Sequence, residues 1–148
     1  MIQPDSKYNN LLVSKFINHT MKSGKKLLAQ KIIYDAFLDI QEKTKKNPLE
    51  VFSQALKNAA PRMETRPKRV GGATYQVPME VKKERQTTLA MRWILGAAEK
   101  KKGKEMKKKL AEELIVAAKG EGAAIKKRFN TERMAEANKA FAHLARRR

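Results

Sequence analysis

The chain contains no cysteine, which removes disulfide frameworks and cysteine-based zinc sites and suits a reducing cytoplasm. It has two histidines, His19 and His143, far apart in sequence, and a lone helical histidine is more often packed or exposed than a ligand. Tryptophan occurs once, as Trp93, which reads as core rather than as a stacking surface. No apolar run is long enough to span a bilayer, and no signal-peptide pattern opens the chain. Acidic charge is scarce: 15 Asp and Glu stand against 34 Lys and Arg, a formal net charge of +19 over 148 residues. Self-repulsion of that size opposes compaction unless a polyanion neutralises it. Nucleic acid is the first candidate and an anionic membrane surface the second. Hydrophobic residues make up 41%, enough for a core in one domain, residues 1–148.

Enzyme signatures are also missing. Gly24-Lys25-Lys26 has neither the upstream glycine nor the following hydroxyl of a phosphate loop, and no nucleophile elbow or dinucleotide fingerprint occurs. Carboxylates sit beside lysines on helix faces, where pairing explains them. The chain reads as no enzyme, with no cofactor and no metal.

What is present is helical periodicity with one interruption. Apolar residues at helical spacing predict helices over residues 8–23, 26–42, 48–60, 89–101, 106–119 and 130–146. Asn47-Pro48 starts the third, with asparagine as N-cap and proline at the first position. Thr87 or Thr88 is expected to cap the fourth, and Asn130 or Thr131 the sixth. Residues 123–129 read as an irregular basic connector. Met134, Ala137, Phe141 and Leu144 are expected to point inward.

The interruption is residues 62–83. Gly71-Gly72 lies between β-formers, and both central residues of a tight hairpin turn need positive φ. Pro67 and Pro78 fit only edge strands, and a two-stranded ribbon consists of edges. The first arm is basic through Arg62, Arg66, Lys68 and Arg69. The expected architecture is mainly α: a six-helix bundle with one protruding two-stranded β-hairpin between helices three and four.

Several basic groups could meet a polyanion, each with a plain solvated alternative. Lys25 and Lys26 surround the turn into the second helix, with Lys22 and Lys31. Lys100 to Lys109 is nearly continuous lysine and points all round a helix, so it reads as solvated. Lys126, Lys127 and Arg128 with Arg133 sit in the glycine-flanked connector. Arg85 and Arg92, seven apart on one helix, are expected to face the ribbon base. Lys82, Lys83, Lys139, Arg146 and Arg147 complete the candidate contacts, with Gly71, Gly72 and Tyr75 at the ribbon end. Arginine matters most, because its planar fork grips phosphate bidentately and stacks on bases.

R-V-G-G-A-T-Y-Q-V-P-M-E-V from Arg69, A-M-R-W-I from Ala90, K-K-R-F-N-T-E-R-M-A-E-A-N-K-A-F-A-H from Lys126 and G-K-K-L-L-A-Q-K-I-I-Y-D-A from Gly24 resemble bacterial small-subunit ribosomal protein seven, over nearly the whole chain. The resemblance implies a helical bundle with a β-ribbon that binds the 3′ major domain of 16S ribosomal RNA and nucleates assembly of the subunit head. It implies a place near the exit-site tRNA and the mRNA path, beside other head and platform proteins. It also implies translational autorepression, which some members perform. RNA contact carries over to Arg66, Lys68, Arg69, Arg92, Lys126, Lys127 and Arg128, and the tRNA side to Gly71, Gly72 and Tyr75. Members usually begin with a basic arm before a segment like Pro4-Asp5-Ser6-Lys7; such an arm is absent from this sequence or was removed from it. Members often end in an aromatic-containing tail, where this chain has Arg146-Arg147-Arg148. A DNA-binding architectural protein is the alternative from composition alone.

Overall fold

Backbone N–H groups converge on the carboxylate of Asp5: Lys7 and Tyr8 donate to Oδ2 at 3.1 and 2.7 Å, and Asn10 to Oδ1 at 2.8 Å. The Tyr34 hydroxyl adds a bond at 3.0 Å. A buried carboxylate needs such partners. They hold residues 5–10 as a turn, so the helix expected from Tyr8 begins at Leu11. This is α1, Leu11–Thr20, capped by the Asn10 side chain. The computed structural model describes residues 2–146, the last of these by its backbone only.

Helices α2, Lys26–Thr44, and α3, Pro48–Ala59, follow as the periodicity requires, with Asn47 Oδ1 accepting from the Leu49 N–H at 2.9 Å. The ribbon is β1, Met63–Val70, and β2, Ala73–Glu80. Then come α4, Lys83–Lys100, α5, Met106–Ala118, and α6, Ala123–Ala137, with a 3-10 helix over Lys139–Arg146. Helix α5 packs against α2, α3 and α4, and Leu110, Leu114 and Ala117 bury its inner face completely or nearly so. The rings of Phe16, Phe37 and Phe52 form a chain with centroids 5.1 and 5.4 Å apart. Each such ring contributes about 1.5–3 kcal/mol by burial. Asn58 on α3 donates to the carbonyls of Ala117 and Ala118, closing the end of α5. Trp93 packs half-buried against the core, as expected.

The ribbon is antiparallel with Val70 opposite Ala73, so Gly71-Gly72 is a two-residue turn. Their φ values of 58° and 88° are the positive pair that the turn demands.

Four expectations need correction. The described residues hold seven helical segments rather than six, because the last is split into α6 and the 3-10 helix. Helix α4 starts at Lys83; Thr87 and Thr88 lie inside it and donate to the carbonyls of Lys83 and Glu84 instead of capping. The supposed connector 123–129 is the first half of α6. Gly122 makes this possible, since at φ 95° a Cβ there would lie 2.8 Å from Val116 Cγ1. On α6 the buried residues are Ala124 and Ala135, while Met134 and Ala137 are exposed. Leu144 is buried and Phe141 half-buried, as expected, but both belong to the 3-10 helix.

Candidate nucleic-acid interface

The ribbon protrudes less than its sequence suggests. The Glu132 carboxylate accepts the Arg62 N–H at 2.9 Å, and Thr65 Oγ1 lies 3.7 Å from Met134 Sδ. Lys68 Nζ donates to the Leu144 carbonyl at 2.5 Å. The Tyr75 ring meets Phe141 with centroids 5.1 Å apart, so it is engaged by the 3-10 helix rather than open. Strand β1 therefore rests on α6 and β2 on the 3-10 helix. Beyond Lys68 and its partner Tyr75 the ribbon end carries exposed Arg69, Gly71 and Gly72.

At the base sits a clamp with no sequence signature. Glu64 is 7% exposed, and Arg85 Nε donates to both of its carboxylate oxygens at 2.9 and 3.1 Å. Arg66 Nε adds a bond at 3.0 Å. Burial by itself pushes the Glu64 carboxyl up; the hydrogen bonds from Arg85 and Arg66, with their charges, outweigh it and hold the group below the usual carboxylate range. Arg85 thus faces the ribbon base as expected. Arg92 does not: it lines a shallow cleft with Trp93, Lys100, Ala123 and Lys127, between α4 and the start of α6. Its charge reaches His19, whose imidazole is held below its ordinary value by burial and then by Arg92.

A second cleft, of about 830 Å³, lies at the other end of α4 and gathers Lys57, Arg62, Lys83 and Arg128 around Glu132. Arg128 Nε is 3.6 Å from Glu132 Oε1 and buried without a hydrogen-bond partner among the described residues. Lys57 is a cation that the sequence reading missed, because a single lysine on an amphipathic helix carries no signal. Lys82 is exposed just before α4. On α6, Lys126, Lys127 and Arg133 are exposed. Lys139 is exposed and paired with Glu136 at 3.2 Å. Lys25 lines a separate groove with Lys22, Leu28 and Lys109, and exposed Lys26 opens α2. The Arg146 side chain and Arg147 lie outside the described residues.

The Lys100–Lys109 segment is less solvated than expected. Lys101 reaches Glu113 at 2.7 Å and Glu112 at 3.2 Å, Lys104 pairs with Glu112, and Lys109 Nζ donates to the Lys101 carbonyl at 3.1 Å. By contrast Arg69, Lys82, Lys83, Lys126, Lys127 and Arg133 have no carboxylate partner among the described residues. Such cations can neutralise an external polyanion without first breaking an internal pair. Among the described residues no group of His, Asp and Glu could hold a metal ion, and no helix is long and apolar enough to cross a membrane.

Comparison with known proteins agrees in kind. The family model of ribosomal protein S7p/S5e matches residues 1–139. The small ribosomal subunit protein uS7 of Thermotoga maritima is 61% identical over 142 residues, covering 96% of this chain and 92% of the relative. That of Pseudothermotoga lettingae is 55% identical over 143 residues, covering 97% and 92%. That of Carboxydothermus hydrogenoformans is 56% identical over 142 residues, covering 96% and 91%. With the ribbon and helices α1 to α6 within the matched span, the chain belongs to the ribosomal protein S7 family.

Proposed function

We propose that this protein, a structural constituent of the small ribosomal subunit in the cytoplasm and not an enzyme, grips 16S ribosomal RNA directly in its 3′ major domain. The contacts are Arg69 and the ribbon end, Arg62, Lys82 and Lys83 at the ribbon base, Arg92 with Lys126, Lys127 and Arg133 along α4 and α6, and Lys25 and Lys26 at the turn before α2. Arg66 and Arg85 add half-exposed guanidinium groups already oriented by Glu64. The observation that carries this reading is the set of exposed cations on ribbon and α6 that no carboxylate neutralises among the described residues. Lysine and arginine displace counterions and draw together RNA helices that would otherwise repel. By family resemblance the protein nucleates assembly of the subunit head, turns its ribbon end toward exit-site tRNA and mRNA, and represses translation of its own operon.

A footprint on naked 16S RNA tests the assignment, with protection expected in the 3′ major domain. If roughly 6–10 phosphates are engaged, affinity falls about 10³–10⁵-fold between about 50 and 200 mM salt. Specific RNA still outcompetes bulk RNA at the higher salt. Duplex DNA that displaces the protein from this RNA at equal concentration would overturn the reading in favour of a DNA-binding architectural protein.

A further inference from the structure

Phe129 is the one aromatic among the large apolar side chains that stay exposed in the described residues, at 58%. It lies in the middle of α6. Lys126 is three residues before it and Arg133 four after, the spacings that place side chains on one side of a helix. Asn130, also exposed, stands next to it. The acidic residues of this helix are committed elsewhere: Glu132 to Arg128 and the Arg62 N–H, Glu136 to Lys139. The ring is thus framed by cations and an amide, and its apolar neighbour at the same spacing, Ile125, is partly buried against the core. Met134, the other large apolar residue exposed on α6, is five positions on, about 140° round the helix.

We propose that Phe129 is a stacking platform for an unpaired base of the bound ribosomal RNA, and that Lys126 and Arg133 hold the phosphates on either side of that base. The proposal rests on the RNA-binding reading above. A protein partner would cover an apolar patch, and here one exposed ring stands between two exposed cations. RNA offers both what the ring wants, a π face, and what the cations want, phosphate; proteins read RNA mainly at such unstacked bases. Lys126 and Arg133 are about 10.5 Å apart along the axis, so their long side chains can reach phosphates flanking one extruded nucleotide. The exposed amide of Asn130 can meet the edge of that base.

The test is binding of the whole protein to naked 16S RNA at fixed salt, with unfolding curves for each variant. Phe129→Ala and Phe129→Leu are both expected to lose about 5- to 150-fold in affinity, the range for loss of one stacked base. Phe129→Trp should bind at least as tightly as wild type. All are expected to unfold as wild type does, because the side chain is exposed. The salt slope should stay unchanged in Phe129→Ala, and flatten by about 0.7–0.9 in Lys126→Ala and in Arg133→Ala. Full affinity in Phe129→Leu would mean that only apolar bulk is needed, and unchanged affinity in Phe129→Ala that the ring touches no RNA. Either result, against a wild type that binds, overturns this inference alone. Failure of the wild-type protein to bind the RNA would overturn the RNA reading and this inference with it.

Discussion

Two lysine-rich stretches look alike in the sequence and differ in the folded chain. Between α4 and α5, Lys101, Lys104 and Lys107 each meet a carboxylate, and Lys109 closes a backbone carbonyl. On α6, Lys126, Lys127 and Arg133 meet none among the described residues. The first stretch is denser in positive charge, yet much of that charge is spent on holding α4 to α5. The second is sparser and stands on a rigid helix. We propose that charge left unpaired on an ordered element, rather than density of charge, marks a polyanion site.

Removing charge from each stretch in turn is the direct way to break that contrast. Lys126→Ala, Lys127→Ala and Arg133→Ala together are expected to lower affinity for naked 16S RNA about 100-fold near 0.1 M salt, from three phosphate contacts at a slope of about 0.7–0.9 each. The matched triple Lys101→Met, Lys104→Ala, Lys107→Ala should change it by less than about 3-fold, through long-range field alone. Filter binding across a salt series gives both numbers. Equal losses from the two triples would show that net charge, not placement, governs binding.

The next effect is on stability. Glu64→Gln leaves Arg85 and Arg66 without their anion at the ribbon base, at a cost of about 1–3 kcal/mol. That range is discounted because both arginines are roughly half exposed. The folded-state pKa of Glu64 is depressed, so its contribution is fully present above the ordinary carboxylate value of about 4.3 and is lost as pH falls through its lowered value. Urea unfolding of wild type and variant should therefore differ by a constant amount from about pH 7 to 5 and converge at lower pH.

That clamp illustrates where sequence stops being informative. Glu64 and Arg85 are 21 residues apart, and nothing local pairs them. Helices α2 and α3 were legible because their apolar residues repeat at helical spacing and Asn47-Pro48 marks a start. Helix α6 was half missed for the opposite reason. Its buried residues are two alanines, Ala124 and Ala135, too small and too few to register as a stripe. Asn130 and Thr131 have the chemistry of caps, and only the continuous backbone shows that they are interior. Thr87 and Thr88 misled in the same way, since a hydroxyl that can cap can also bond back to the preceding turn. Gly71-Gly72 was legible because a requirement for positive φ is local. The sequence shows the basic residues of the candidate interface as residue types, with no sign of which meet RNA. It could not tell which were already paired.

The lysine stretch makes its own stability prediction. Lys101→Met keeps the apolar stem but leaves Glu113, 5% exposed, without its cation. A loss of about 1–2 kcal/mol is expected, reduced because Lys101 is partly exposed. Hydrogen bonding to Glu113 is the main reason that the Lys101 pKa is raised. Its contribution is therefore fully present below the ordinary lysine value of about 10.4 and is lost as pH rises through the raised one. RNA affinity should stay within about 2-fold of wild type, the reverse of the α6 triple.

The smallest effect belongs to the ribbon tip. A Cβ added at Gly71 would meet nothing within 4 Å, so the cost of substitution there is conformational alone. At φ 58° asparagine is tolerated, and Gly71→Asn should change stability by less than about 0.5 kcal/mol. Gly71→Val, β-branched in a left-handed position, should cost about 1–2 kcal/mol, confined to the hairpin end, where residues 71–74 are exposed. Amide hydrogen exchange reads this directly: faster exchange in residues 69–74 with the helices unchanged. Exchange that spreads into α6 or the 3-10 helix would show that the tip is coupled to the elements beneath the ribbon, and that its end is not energetically separate from the base.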